Sequence, residues 1–187
     1  MWSNRVYGND VLQPDTERDA RLRRLAKGIQ ALAAKDEANH RRSQEIADLR
    51  CRAATDLHAV CSDFVRAVNR LLPAPEIRID PQEFQKEQFH DEAPNLIQIS
   101  VRGRILQVEF ETTPELVSTE EFRIPYTLSG AVRAFNQAML DKDLIEEQLI
   151  YYTIEKGRTM WRFFDPRTYR SGALDQEYLT GVMEQLL

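Results

Sequence analysis

The amino-acid sequence predicts an α+β protein in which a long amino-terminal helix precedes a mainly antiparallel sheet of about five to six strands, with helices on one face. Two observations support this fold class. Between Asp15 and Leu72 there is no proline and one glycine, and strong helix formers dominate. After Pro73 the apolar residues change to a period of two, which is typical of strands. We therefore divide the chain into a flexible amino terminus (residues 1–14), a long helix (15–72) and an α+β sheet domain (73–187).

The composition excludes several classes of protein. Of the 187 residues, 42% are hydrophobic and 29% are charged, so the chain can bury a core and is not disordered throughout. No apolar run approaches the ~20 residues that a membrane-spanning helix needs. Residues 1–13 also have no apolar core of the kind found in a secretory signal. We therefore expect a cytoplasmic protein without a membrane partner.

The apolar residues of the long helix recur at alternating steps of three and four, which is a heptad pattern. They fall into two runs, Leu22, Leu25, Ile29 and Leu32, followed by Ile46, Ala53, Leu57, Val60, Phe64, Ala67 and Leu71. The second run is typical of a helix packed on its own domain, and we expect Phe64 and Leu71 in the core. An unbroken helix over residues 16–72 would extend about 85 Å, so the first run should bind a partner.

Polar residues interrupt this pattern between the two runs. Asp36, Asn39 and Ser43 occupy its register, and Arg50 occupies a later position. Polar residues in a helical seam can fix the register and the number of partners. Alternatively, residues 35–43 are the bend of a helical hairpin. We favour a continuous helix because neither Gly nor Pro marks a turn there.

Two cysteines, Cys51 and Cys61, lie ten residues apart in the predicted helix. That spacing separates them by about 15 Å along the axis, which is beyond disulfide reach. Each could pair with its counterpart in a parallel dimer. Because disulfides are rare in the cytosol, we expect reduced thiols.

Two hairpins are predicted in the sheet domain, because an X-Gly turn between alternating runs favours this structure. The first turn is Arg102-Gly103, which sets Ile99 opposite Leu106 and Ile97 opposite Val108. The second turn is Lys156-Gly157, which pairs residues 149–154 with residues 159–164 and sets Ile150, Tyr152 and Ile154 opposite Phe163, Trp161 and Thr159.

The remaining elements are shorter. Residues 76–80 and 122–126 are predicted as strands, and residues 81–94 as a loop. We expect a helix capped by Thr127 or Ser129, with Val132, Phe135, Ala138 and Met139 on its core face. A final helix should begin at Asp175, with Leu174 and Leu179 as a hydrophobic staple, and should bury Tyr178, Val182, Met183 and Leu186.

No catalytic motif identifies a reaction. His40, His58 and His90 do not cluster in the sequence, and the motifs of zinc proteases, P-loop enzymes and serine hydrolases are missing. We therefore expect no catalytic residue, no cofactor and no metal. An alternative is a small-ligand-binding or catalytic domain with a pocket near loop 81–94, in which His90, Glu109 and Glu111 would be the polar groups.

Charge is unevenly distributed along the chain. Residues 1–72 carry 13 basic and 10 acidic side chains, whereas residues 73–187 carry 12 basic and 20 acidic ones. A second alternative is therefore nucleic-acid binding through the basic helix, with Arg23 and Arg24 as contacts. Acidic residues interspersed among these basic ones weaken the positive electrostatic field of the helix.

The sequence as a whole favours a non-enzymatic assembly or adaptor protein. The helix would self-associate or bind a protein partner through Leu22, Leu25, Ile29 and Leu32, and the sheet domain would serve for recognition. The pattern leaves the parallel or antiparallel sense of helix pairing open.

Overall fold

The structure of the protein is a computed structural model that describes residues 13–187. The predicted flexible segment, residues 1–14, lies almost wholly outside the described residues. The chain divides into two compact units, one that ends at Ile46 and one that comprises Ala47–Leu187. We describe each unit by itself.

The long helix is present, and it is a single element. Helix α1 (Gln13–Leu71) has 59 residues and continues through residues 35–43, where the alternative interpretation placed a bend. Phe64 is buried as expected, with 3% of its surface exposed. The prediction for Leu71 was wrong, since 87% of this side chain is exposed. Leu71 is the last residue of the helix, where the chain turns away toward Pro73.

The second unit contains an antiparallel sheet. Among the described residues the sheet has seven strands, and their order in space is their order along the chain. They are β1 (Arg78–Asp80), β2 (Asn95–Val101), β3 (Arg104–Val117), β4 (Tyr126–Asn136), β5 (Glu146–Glu155), β6 (Arg158–Asp165) and β7 (Arg170–Ala173). A short helix α2 (Gln137–Leu140) and the carboxy-terminal helix α3 (Gln176–Leu186) complete the unit. The fold is therefore α+β as predicted, with more strands than the expected five to six.

Both predicted hairpins are confirmed with their register. Ile99 pairs with Leu106 across the first turn, and Tyr152 pairs with Trp161 across the second. The turn residues Arg102 and Gly103 have φ angles of 45° and 77°, and Lys156 and Gly157 have angles of 50° and 77°. Two consecutive positive φ angles are required by the two-residue turn whose twist matches that of the strands.

The helix predicted after Thr127 or Ser129 was wrong. Residues 126–136 form β4, and only the four residues of α2 are helical. The predicted separate strand over residues 122–126 is also wrong, since only Tyr126 belongs to a strand. These predictions failed because exposed and buried residues alternate only weakly along β4. Val132 faces the core, but its neighbour Ala131 is also buried, on the opposite face of the sheet.

Strand β7 was missed, whereas the cap of the last helix was predicted correctly. Asp175 caps α3 by accepting a hydrogen bond from the backbone N–H of Tyr178. Leu174 and Leu179, which flank this cap, are both buried. Met183 and Leu186 are buried as expected, but Tyr178 and Val182 are half-buried. The predicted first strand is shorter than expected, since β1 begins at Arg78.

The main core lies between the sheet and the two long helices. Buried side chains of α1 and α3 join those of the sheet in one cluster, which includes Ala53, Leu57, Ile97, Val108 and Leu179. The helices therefore cover one face of the sheet, as predicted. A smaller cluster lies on the opposite face and consists of Phe122, Tyr126, Tyr151 and Phe164. We call this opposite face the outer face.

Gly130 is the position where β3 and β4 tolerate no side chain. A Cβ atom at Gly130 would lie 2.7 Å from Cα of Phe110 and would also collide with the backbone oxygen of Glu109. We expect Gly130→Ala to lower the free energy of unfolding by about 1–3 kcal/mol, because relief of this clash must move the strands. Urea denaturation measures this change.

Gly181→Ala is the matched control, because a Cβ atom at Gly181 in α3 would meet nothing within 4 Å. This variant should be neutral or more stable by about 0.5–1 kcal/mol, since alanine is the better helix former. Equal stability of the Gly130→Ala protein and the parent would contradict the close approach of the two strands.

Candidate functional site

The amino-terminal unit exposes a stripe of large apolar side chains. Leu22, Leu25, Ile29 and Leu32 are 52%, 60%, 57% and 62% exposed. Their spacing of three and four residues places them on one face of α1. The first predicted run of apolar residues is thus an exposed stripe, which we call the helix stripe. Ala26 and Ala33, which follow Leu25 and Leu32, widen this apolar surface.

The same heptad positions are covered in the second unit. Ala53 and Leu57 are fully buried there, and Val60 is half-buried. An identical spacing therefore has two environments along one helix. In the second unit the sheet covers the seam, whereas in the first unit no described residue of that unit buries the helix stripe.

Arg50 stands where the covered part of α1 begins. It is 8% exposed, although it is a charged residue at a heptad position. Its Nε donates a hydrogen bond to Oγ1 of Thr127 at 2.9 Å, and its Nη1 lies 3.3 Å from Oδ1 of Asp91. Its Nη2 donates to the backbone oxygen of Thr113. Arg50 thus joins the helix to the sheet and to the loop before β2, so its role in the described fold is structural.

A polar groove of about 350 Å³ lies on the outer face. At one side Arg133 binds two carboxylates, with Nη1 2.9 Å from Glu109 and Nε 2.7 Å from Glu147. Hydrogen bonding to Glu147, and then to Glu109, raises the pKa of Arg133 against the opposing effect of burial. Glu109 is therefore held in an ion pair with Arg133.

Aromatic side chains form the other side of this groove. Tyr126 and Tyr151 line it with ring centroids 4.5 Å apart, and Phe122 stacks on Tyr151 at 4.4 Å. Burial raises the pKa of Tyr126. Burial also raises the pKa of Tyr151, and the charges of Tyr126 and Glu121 raise it further by smaller amounts. Sequence reasoning missed Arg133 because it assigned residues 127–139 to a helix. It placed Tyr126 and Tyr151 in predicted strands but assigned neither of them to a site.

The structure does not bring together the residues of the alternative ligand site. Glu109 and Glu111 line the outer-face groove. His90 does not belong to the described residues that line this groove. The His90 side chain is exposed, and its backbone N–H donates to Oδ1 of Asn95 at 2.9 Å. Phe84 and Phe89 of the same loop pack against the main core, on the other face of the sheet.

The other two histidines lie in different units. His58 is buried, its Nε2 donates to the backbone oxygen of Pro81 at 2.8 Å, and its ring stacks on Phe84. His40 is exposed in the amino-terminal unit, as are Arg23 and Arg24. Within residues 13–187, no group of three or more His, Cys, Asp or Glu side chains could hold a metal ion.

Both cysteines are free thiols, but their environments differ. Cys51 is half-buried, and its Sγ lies 4.0 Å from the backbone oxygen of Lys86. Cys61 is fully buried in the main core, and burial raises the pKa of its thiol from 9.0 to about 12. A thiol of this kind is inert, because nucleophilic cysteines need an exposed thiolate.

Comparison with known protein families, with curated proteins and with solved structures found no match for this chain. The part of the chain that the structure describes has no helix that is both long and apolar enough to cross a membrane. The candidate functional surface of the described chain is therefore the helix stripe, on the basis of its exposed apolar side chains.

The buried thiol of Cys61 predicts a loss of stability in alkali. Above about pH 9 the unfolded chain releases the Cys61 proton, but the folded chain retains it up to about pH 12. The thiol's contribution is therefore fully present below pH 9 and is lost as the pH rises, by about 1.4 kcal/mol for each unit. Urea denaturation of the parent and of Cys61→Ala at pH 8 and pH 10.5 measures this difference.

We expect the advantage of the parent over Cys61→Ala to shrink by about 2 kcal/mol between these two pH values. Val65→Ala is the control, because it shortens a buried side chain that has no titratable group, so its difference from the parent should not change with pH. A constant difference between the parent and Cys61→Ala would contradict the effect of burial.

Proposed function

We propose that this chain is a non-enzymatic assembly or adaptor protein that self-associates through the helix stripe. The observation that supports the proposal is the exposure of more than half of the surface of Leu22, Leu25, Ile29 and Leu32. Each large aliphatic side chain gains about 1.5–3 kcal/mol when it is fully buried. Four such side chains on one helical face therefore favour association.

A second copy of the chain is the occupant that the stripe favours. Leu and Ile at heptad positions of one helix fit between the same residues of another helix, as in a coiled coil. The stripe is thus complementary to itself. Its a and d positions are all large and aliphatic over residues 22–32.

This self-association would bring two copies of the α+β unit together. Its outer face offers the ion-paired Arg133 and the aromatic rings of Tyr126 and Tyr151 as a surface for recognition. The proposal assigns no reaction to these groups. It places the protein in the cytoplasm, where free Cys51 and Cys61 stay reduced.

The central prediction is that the wild-type chain is a dimer and that Leu25→Glu weakens this dimer at least about a hundredfold. Each dimer would lose the burial of two leucine side chains and would have to bury two carboxylates. Sedimentation equilibrium between about 1 and 100 µM measures the dissociation constant.

Ala34→Glu is the matched control, because it adds the same side chain to the opposite face of α1, where Ala34 is exposed. This variant should dimerise like the wild type. A wild-type chain that is monomeric throughout this range, or a Leu25→Glu chain that dimerises equally well, would show that the stripe does not bind a second copy.

A further inference from the structure

We propose that the two helices pair in antiparallel orientation over residues 18–36, with a two-fold axis near residue 27. This inference rests on the self-association proposed above, and it adds the direction and the register. It starts from the residues that stand at the two ends of the helix stripe. Arg18 precedes Leu22 by four residues, and Asp36 follows Leu32 by four residues.

Arg18 and Asp36 continue the heptad pattern of the stripe at its two ends. Both side chains are exposed, and neither forms an ion pair within the described part of α1. A dimer that buries the stripe must therefore place one basic and one acidic residue of each copy beside the other helix. The sign of the charge that each residue meets depends on the direction of pairing.

An antiparallel register exists that matches all the apolar residues of the stripe. In antiparallel pairs the a position of one helix meets the d position of the other, so the residue numbers of facing residues have a constant sum. Leu22 then faces Leu32, and Leu25 faces Ile29 of the second copy. The same register sets Arg18 opposite Asp36 of the second copy at both ends, so opposite charges meet.

Neighbouring antiparallel registers bury charge against aliphatic side chains. A shift in one direction sets Ile29 against Arg18, and a shift in the other direction sets Leu25 against Asp36. Either arrangement removes an apolar contact and desolvates an unpaired charge, which is costly. The register with its axis near residue 27 avoids both effects.

The parallel alternative matches the apolar residues equally well but not the charges. In a parallel pair in register, each residue meets its own copy. Arg18 would then lie beside Arg18, and Asp36 beside Asp36, so like charges would stand at both ends of the stripe. The charges therefore favour the antiparallel direction.

The residues beside the axis are small, which suits the close approach of two helices. Ala26 and Gly28 flank residue 27 on the two edges of the seam. Glycine inside a helix costs about 1 kcal/mol relative to alanine. Among the described residues no contact requires glycine at position 28, because a Cβ atom there would meet nothing within 4 Å. One flanking contact opposes the pairing, since Arg21 would lie near Lys35 of the second copy at the solvated edge.

A charge exchange tests the direction. Arg18→Asp should weaken dimerisation by about tenfold, because each antiparallel dimer loses two contacts of opposite charge and gains two of like charge. The double variant Arg18→Asp/Asp36→Arg should restore the wild-type dissociation constant. It has the same composition as the wild type, so it is a matched control for net charge. In a parallel dimer both variants still place like charges opposite each other at positions 18 and 36.

A distance measurement gives an independent test. A nitroxide label at Arg41→Cys, in a Cys51→Ser background, lies on the exposed side of α1, and Cys61 is fully buried. In the antiparallel dimer the two labels lie about 42 Å apart along the axis, because each is 14 residues from residue 27. In a parallel dimer they lie within about 20 Å, the width of two helices. Pulsed electron paramagnetic resonance measures this distance.

The outcomes separate this inference from the proposed function. A wild-type dimer that Arg18→Asp weakens, that the exchange restores and whose labels are about 42 Å apart supports the antiparallel pairing. A wild-type dimer with labels within about 20 Å and no effect of Arg18→Asp overturns the direction and leaves self-association in place. A wild-type monomer overturns both.

Discussion

The second unit depends on the close contact between α1 and the sheet. Ala53 and Ala54 face this contact and are fully buried. Nε1 of Trp161 in β6 reaches the backbone oxygen of Ala53 at 2.8 Å and donates a hydrogen bond to it. A larger residue at position 53 would move the helix away from the indole ring. Buried side chains of α1 and of the sheet thus belong to one core cluster.

Packing of this kind explains why one heptad pattern has two environments. Where the pattern contains Ala53 and Leu57, it fits the pleated face of the sheet and is covered by it. In the helix stripe the a and d positions are all large, and the small residues stand at the edges instead. Large side chains at a and d also fill the seam between two helices, which agrees with the proposed self-association. Arg50 marks the change, because its hydrogen bonds end on strand and loop residues of the covered part.

The sequence predicted those elements whose local signals agree with their tertiary environment. The turn at Arg102-Gly103 combines a positive-φ requirement with alternating strands on both sides, so the register followed from the residues alone. Strand β4 could not be predicted in the same way. Its residues have cover on both faces, so the apolar residues do not alternate with polar ones and periodicity did not identify the strand. Because β4 was not predicted, the groove was not predicted either, since Arg133 and Tyr126 belong to that strand.

The helix stripe and the outer-face groove differ in whether neighbouring residues pair or cover their side chains. In the groove, Arg133 neutralises Glu109 and Glu147, and the rings of Tyr126 and Tyr151 cover one another. The charges of Arg133, Glu109 and Glu147 are thus paired with one another within the fold. In the stripe, water contacts the leucine side chains, and no described residue of the same unit relieves this cost. Since apolar exposure is a cost that only another surface can remove, the proposed self-association is assigned to the stripe and not to the groove.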